Sequence, residues 1–263
     1  MRTLRLTIAY VGTAYAGWQT QRNEPTVQST LEAAIAQVTG QAVRVLASGR
    51  TDAGVHALGQ VVGFRTDSTL PPDVLLRALN GNLPHDIVVL EAAEAPADFH
   101  PIRDVLRKRY RYLIHDGLVR DVFCRHFAWH YRYGRLNAEA MQRAAAALLG
   151  THDFSSFESS GAERKTSVRT IFAILVERGR TGESDFLPHA ESEEFLIIEV
   201  EADGFLYNMV RAIVGTLIQV GRGAELESWP GEVLRAKNRR AAGPTAPPQG
   251  LCLVRVEYKG RGE

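Results

Sequence analysis

A chain of 263 residues that is 45% hydrophobic and 23% charged, with a formal net charge of +1, has the balance of a globular protein and the length for one large domain or two ordinary ones. That balance excludes disorder, collagen and coiled coil, and no apolar run approaches the roughly 20 residues needed to cross a bilayer. The N-terminus alternates rather than running apolar as a signal peptide does, and two cysteines, Cys124 and Cys252, argue against a disulfide scaffold; a cytoplasmic protein is expected.

Leu4, Leu6, Ile8 and Tyr10 alternate with polar neighbours and predict a half-buried strand. A helix is expected after Thr26 as N-cap, with Val27, Leu31, Ile35 and Val38 on one stripe and Gly40 ending it. VRVLA (43–47) and QVVGFR (60–65) read as strands, PPDVLLRALN (71–80) as a short helix with proline in its first turn, and DIVVLEAA (86–93) as a strand. The order β-α-β-β-α-β is that of a ferredoxin-like unit.

A second α/β set follows. KRYRYLIH (108–115) and HFAWHYR (126–132) read as strands, LNAEAMQRAAAALLG (136–150) as a helix, and 168–177 and 194–202 as strands. A helix is expected over about 205–220, striped by Leu206, Met209, Ile213, Leu217 and Val220, then a short helix near 231–238 and a last strand, LCLVRVEY (251–258). The segment 179–193 reads as a mobile acidic loop. Two similar units predict internal pseudo-symmetry, with the halves at 1–104 and 105–263 and a cleft where they meet.

Charge is unevenly spread. Residues 101–135 hold nine Lys/Arg against three Asp, whereas 177–203 hold two Arg against nine Asp/Glu. Either these are solvated faces, or the basic segment meets a polyanion.

Three places can carry chemistry. In GRTDAGVHA (49–57) a carboxylate, Asp52, lies two residues from Arg50 in a glycine-bounded gap between strands. Arg50 would hold Asp52 ionised, fit to act as nucleophile or general base; the plainer alternative is a structural ion pair in a hairpin loop. In KRYRYLI a strand would put Lys108, Tyr110 and Tyr112 on one face and Arg109 and Arg111 on the other, a pattern that suits RNA or an amphipathic strand burying its tyrosines. Arg211 stands among Phe205, Leu206, Val210, Ile213 and Val214, where it must snorkel to water or pair with a carboxylate or ligand. Cys124, His126 and His130 do not form a zinc-protease motif, and no metal site is expected. Neither a phosphate-binding GxxxxGK[ST], a GxGxxG after a strand nor a GxSxG occurs.

Taken together these segments resemble the TruA-type tRNA pseudouridine synthases. The resemblance runs through YAGWQ (15–19), GRTDAGVHA, GQVVGF (59–64), NGNLP (80–84), DFH (98–100), KRYRY (108–112), GTHDFSSF (150–157), VRTI (168–171) and GFLYNMVRAIVG (204–215), in order over nearly the whole chain. It implies two pseudo-symmetric ferredoxin-like α/β halves in a continuous mixed sheet with a central basic cleft. The first half (1–104) would carry the catalytic Asp loop, the second (105–263) the base-contacting Tyr strand and the Arg211 helix. It further implies isomerisation of uridine to pseudouridine at positions 38, 39 and 40 in the tRNA anticodon arm, by a homodimer, with no cofactor or metal. By position, Asp52 is then the catalytic aspartate, Tyr110 the residue that contacts the base, and Arg50 and Arg211 the basic residues of the active site, with Lys108 and Arg109 as further substrate contacts.

Two departures from the family's pattern stand out: Pro101-Ile102 where Ala-Arg is common after DFH, with Arg103 one place later, and the length of the acidic loop. A non-catalytic RNA-binding or RNA-chaperone protein on the same scaffold is the competing expectation, yet such a chain would have lost Asp52, Arg50, Tyr110 or Arg211. A hydrolase built on Asp52 would call for a metal or a second catalytic carboxylate that no motif supplies.

Overall fold

The computed structural model describes residues 1–161, 166–179 and 192–259. Its secondary structure is mixed α/β, and the contacts divide it into two compact units, Met1–Leu106 with Cys252–Glu263, and Arg107–Leu251. The last strand therefore groups with the first unit, whereas its place in the sequence put it in the second half.

In the first unit, β1 (Arg2–Tyr10) buries Leu4, Leu6, Ile8 and Tyr10 on one face. Helix α1 (Val27–Thr39) starts where Thr26 accepts the Ser29 backbone N–H, and it stops at Gly40, whose φ of 71° no β-carbon favours. Next come β2 (Leu46–Ala47), β3 (His56–Thr66), α2 (Pro72–Asn82) and β4 (Ile87–Ala95). Strand β1 lies between β3 and β4, antiparallel to both, and β2 pairs with β3. Val27, Leu31 and Ile35 of α1 and Leu75 and Leu79 of α2 supply the helical side of the core. A register shift between Ile8 and Tyr10 bends the end of β1 where it faces the start of β3.

The second unit holds β5 (Val105–His115), whose first two residues count with the first unit, then β6 (Trp129–His130), α3 (Ala138–Ala145), β7 (Gly150–Asp153), β8 (Val168–Arg178), β9 (Phe195–Ala202), α4 (Met209–Gly221) and α5 (Trp229–Ala236). The strand order is β5-β9-β8-β7, antiparallel throughout, with β6 parallel to the end of β5. Helices α3, α4 and α5 pack on one another. Strand β10 (Leu251–Tyr258) runs parallel to β3, setting Cys252 opposite His56 and Leu253 opposite Ala57.

Several elements differ from their sequence patterns. VRVLA contributes only Leu46–Ala47 to a strand, and HFAWHYR only Trp129–His130. The helix expected over 136–150 ends at Ala145 and tightens into a 3-10 turn over Ala146–Leu148. The helix expected from 205 begins at Met209, because Asn208 takes a left-handed φ of 60° and breaks the chain direction before it. Most of the acidic loop expected at 179–193 lies outside the described residues.

Candidate active site

The Asp52 loop is built between β2 and β3, and neutral groups anchor it on both sides. Ser48 N–H donates to Val61 O at 2.8 Å, Ser48 Oγ meets Gln60 Oε1 at 2.6 Å, and the buried Gln60 returns its Nε2 to Gly49 O at 2.8 Å. One residue before Asp52, the Tyr10 hydroxyl and Thr51 Oγ1 lie 2.8 Å apart in the core. Burial pushes the Tyr10 phenol well above its ordinary value, so it stays a neutral hydrogen-bonding group. The Trp18 N–H donates to Thr51 O at 3.0 Å, and the Val55 N–H closes a turn on Asp52 O at 3.1 Å, with Gly54 at φ 78°.

The YAGWQ segment explains the rest of the clamp. Gly17, at φ 96°, lies so close to the loop that a β-carbon there would be 2.7 Å from Thr51 O and 3.1 Å from both Ala53 N and the Asp52 carbonyl carbon. Only glycine lets these two backbones meet. Gly17 O and Trp18 O in turn accept the N–H groups of Val27 and Gln28, which ties the loop to the start of α1. Asp52 itself is half-buried and Arg50 exposed; a rigid backbone thus presents a carboxylate with partial access to solvent.

Strand β5 carries the other expected residues, sorted by alternation. Tyr110 is 7% exposed and meets Phe205 edge-on, with ring centroids 5.0 Å apart. Tyr112 is fully buried and donates its hydroxyl to Pro247 O at 2.7 Å; burial pushes this phenol up, against a smaller opposing pull from Arg211. Lys108 shares their face and is half-buried.

The opposite face of β5 is an ion-pair ladder with β9. Register sets Arg109 across from Glu201 and Arg111 across from Glu199. Arg109 Nε and Nη2 reach Glu201 Oε2 at 3.1 and 2.8 Å, Arg107 Nη1 reaches Glu201 Oε1 at 2.8 Å, and Arg111 Nε reaches Glu199 Oε1 at 2.7 Å. Burial alone would raise the Glu201 carboxyl, but the hydrogen bonds from Arg107 and Arg109 outweigh it and hold the group below the ordinary carboxylate value. Much of the positive charge of the basic stretch is therefore answered within the protein by the acidic one.

Arg211 stands in the first turn of α4, half-buried, and two of its hydrogen bonds are to neutral oxygens. Its Nε donates to Ala246 O at 2.6 Å and its Nη1 to Asn208 Oδ1 at 2.7 Å, while the Ala246 N–H returns to Arg211 O at 3.1 Å. The segment 244–247 lies against α4 so tightly that a β-carbon on Gly215 would come within 1.7 Å of Pro244 O. Pro247 O also receives the Tyr112 hydroxyl, so one short segment ties the Arg211 helix to the Tyr110 strand. In the first unit, then, Arg50 and Asp52 share one loop; in the second, Lys108, Tyr110, Arg109 and Arg211 belong to two elements joined by 244–247.

Sequence reasoning did not single out Thr51, Gln60 or Tyr10 as the loop's anchors, nor the aromatic contact between Phe205 and Tyr110. YAGWQ was the available signal for the first set: a glycine beside a buried aromatic, far from the loop it touches. Among the described residues no three His, Cys, Asp or Glu side chains group as a metal site, and no described helix is long and apolar enough to cross a membrane. Pro101 O accepts the Tyr258 hydroxyl at 2.7 Å, and Arg103 is turned onto Asp104 and Asp98 O at 2.9 and 2.7 Å.

A profile described as tRNA pseudouridine synthase matches residues 6–102 and 144–259. The first stretch carries the Asp52 loop and the second the Arg211 helix, with Tyr110 between them; the chain belongs to the tRNA pseudouridine synthase family, whose members are isomerases. Relatives of nearly equal length share one name, tRNA pseudouridine synthase A. The chain is 44% identical over 258 residues to that of Thermoanaerobacter sp. (strain X514), covering 98% of this chain and 100% of the relative. It is 46% identical over 258 residues to that of Acetivibrio thermocellus, with the same coverage, and 48% identical over 256 residues to that of Halalkalibacterium halodurans, covering 97% and 92%.

Proposed function

We propose that this protein isomerises uridine to pseudouridine at positions 38, 39 and 40 in the anticodon arm of tRNAs, with Asp52 as nucleophile and without a cofactor. The observation that carries this reading is the clamped loop, in which a half-buried carboxylate is held by its own backbone in a chain of this family. Catalysis by a positioned nucleophile needs that rigidity, because a small misplacement of the attacking atom is costly.

The chemistry is internally balanced. The N1–C1′ bond of the nucleoside breaks, the uracil turns, C5 bonds to C1′, and the C5 proton is exchanged for one on N1. Asp52 attacks C1′ or C6, or assists formation of a glycal-like intermediate. Arg50 and Arg211 keep the carboxylate ionised and hold the nucleotide. Tyr110 contacts the uracil of a nucleotide flipped out of its stem. Lys108, on the same face as Tyr110, meets an RNA phosphate. Arg109, whose guanidinium is engaged by Glu201, serves substrate binding by holding β5 in register. A homodimer acting on tRNA in the cytoplasm completes the proposal.

The test is incubation with a tRNA transcript carrying uridines at 38–40, followed by carbodiimide mapping. New pseudouridine at those positions is expected, and its absence would overturn the reading. Size-exclusion chromatography with light scattering checks the dimer.

A further inference from the structure

The second unit contains a cavity of about 390 Å³ whose lining includes none of Asp52, Arg50, Tyr110 or Arg211. Its wall is formed by the end of β5, by β6 and the segment between them, and by Arg132 and Gln249 beyond; it includes His115, Arg120, Arg125, Asp121 and Trp129.

Two independent observations mark it as a binding site. The first is charge. Of the arginines in the basic stretch, Arg107, Arg109 and Arg111 pair with Glu199 and Glu201, Arg135 with Glu193 and Arg103 with Asp104. Among the described residues Arg120, Arg125 and Arg132 make no ion pair, and all three line this cavity. Arg125 donates to Val122 O, and Arg132 lies over the Tyr133 ring at 5.3 Å. Among the described residues Asp121 is the one carboxylate of the wall, and its Oδ1 accepts the backbone N–H groups of Phe123 and Cys124 at 2.7 and 3.2 Å.

The second is His115, which is 3% exposed and rests against Phe195 with ring centroids 4.7 Å apart. Its Nε2 lies 3.2 Å from Glu194 Oε2, while its Nδ1 is buried with no hydrogen-bond partner among the described residues. A carboxylate only accepts, so Nε2 carries a hydrogen and Nδ1 is left for another partner. A hydroxyl, which can both donate and accept, suits that position, beside three guanidinium groups that want an anion.

We propose that this cavity binds a ribose-phosphate unit of RNA, the phosphate on the arginines and the 2′-hydroxyl hydrogen-bonded to His115 Nδ1. An RNA backbone offers both groups in one repeat, and DNA lacks the hydroxyl. The inference rests on the reading of the chain as acting on RNA, and it makes the cavity a second hold on the substrate apart from the residues assigned to the chemistry. A protonated phosphate ion presents the same pair of groups, so the source of the anion has to be separated by experiment.

Protein with 15N-labelled histidine is titrated with a single-stranded RNA oligonucleotide, with the DNA of the same sequence, and with inorganic phosphate alone. RNA is expected to move the His115 nitrogen signals, with DNA binding there several-fold to about tenfold more weakly, the worth of one hydrogen bond. Equal binding of DNA overturns the proposal, as does inorganic phosphate that fills the site and blocks the RNA, or a His115 signal that responds to none of the three. Because a His115 variant could unfold around Phe195, the second arm substitutes exposed residues. The double variant Arg120→Gln, Arg132→Gln is expected to weaken tRNA binding about tenfold or more and to lower the slope of log affinity against log salt by about two. Unchanged affinity and slope would overturn the site. If the wild-type protein forms no pseudouridine in tRNA, the proposed activity fails while these titrations still report on the cavity.

Discussion

The Asp52 loop and strand β5 are each held rigidly, but by opposite means. Around Asp52 the anchors are neutral: main-chain hydrogen bonds from Trp18 and Val55, the Tyr10–Thr51 and Ser48–Gln60 contacts, and a backbone approach that only Gly17 permits. Around Tyr110 the strand is held from behind by charged side chains, Arg107, Arg109 and Arg111 on Glu199 and Glu201. The first device is intolerant of an added methyl group. The second tolerates changes of shape and is sensitive to protonation. The first kind serves Asp52 as the proposed nucleophile, because a backbone clamp fixes where the carboxylate sits.

The sharpest way to break this contrast is at Asp52 itself. Asp52→Asn keeps the size of the side chain and removes the nucleophile, so turnover of a tRNA substrate should fall by about 10⁴-fold or more. Affinity for tRNA, measured by filter binding, should change little. A variant that retains substantial turnover would remove Asp52 from the chemistry and leave the loop as a structural feature only. Next in size is Gly17→Ala, which forces a β-carbon onto Thr51 O and places alanine at φ 96°. Strain and overpacking together should cost about 3 kcal/mol. Thermal unfolding should show a midpoint lowered by several degrees, by the same amount at pH 5 and pH 7. A shift that depends on pH would mean that the loop leans on charges after all.

How much of this was legible in the sequence follows the same division. Local signals survived: Thr26 and Gly40 bound α1 as read, and LCLVRVEY is β10 residue for residue. The loop's candidate residues were legible because Asp52 and Arg50 are neighbours in sequence. Its clamp was not, because Gly17 and Tyr10 reach it from more than 30 residues away. The ladder is a clearer case. The basic and acidic stretches were visible as opposite charge runs, but their pairing depends on the register of β5 on β9, across separations of 88 to 94 residues. Alternation sorted the two faces of β5 correctly, and only the structure shows that the arginine face is turned to Glu199 and Glu201. Two short failures share a cause. VRVLA and HFAWHYR have strand composition, yet each finds a partner for only two residues, since a strand needs a neighbour as well as a propensity. GTHD, too short and polar to show a period, became β7 because β8 lies beside it.

The ladder supplies the smallest expected effect and the most discriminating one. Glu201 has a nearly buried side chain, 8% exposed, and binds two guanidinium groups that are each more than a third exposed. Solvent screens these pairs, so Glu201→Gln should cost only about 1–2 kcal/mol at neutral pH. Because the folded-state carboxyl is held below its ordinary value, the unfolded chain binds a proton there more readily than the folded one. The stabilisation from Glu201 is thus fully present above the ordinary carboxylate value, and it is lost as pH falls through the lower value of the folded state. Denaturant unfolding of wild type and Glu201→Gln across pH 7 to pH 3 should therefore give curves that converge in acid, whereas wild type and Gly17→Ala should stay apart throughout. Convergence of both pairs would show that charge holds the Asp52 loop as well, and the contrast between the two devices would fall.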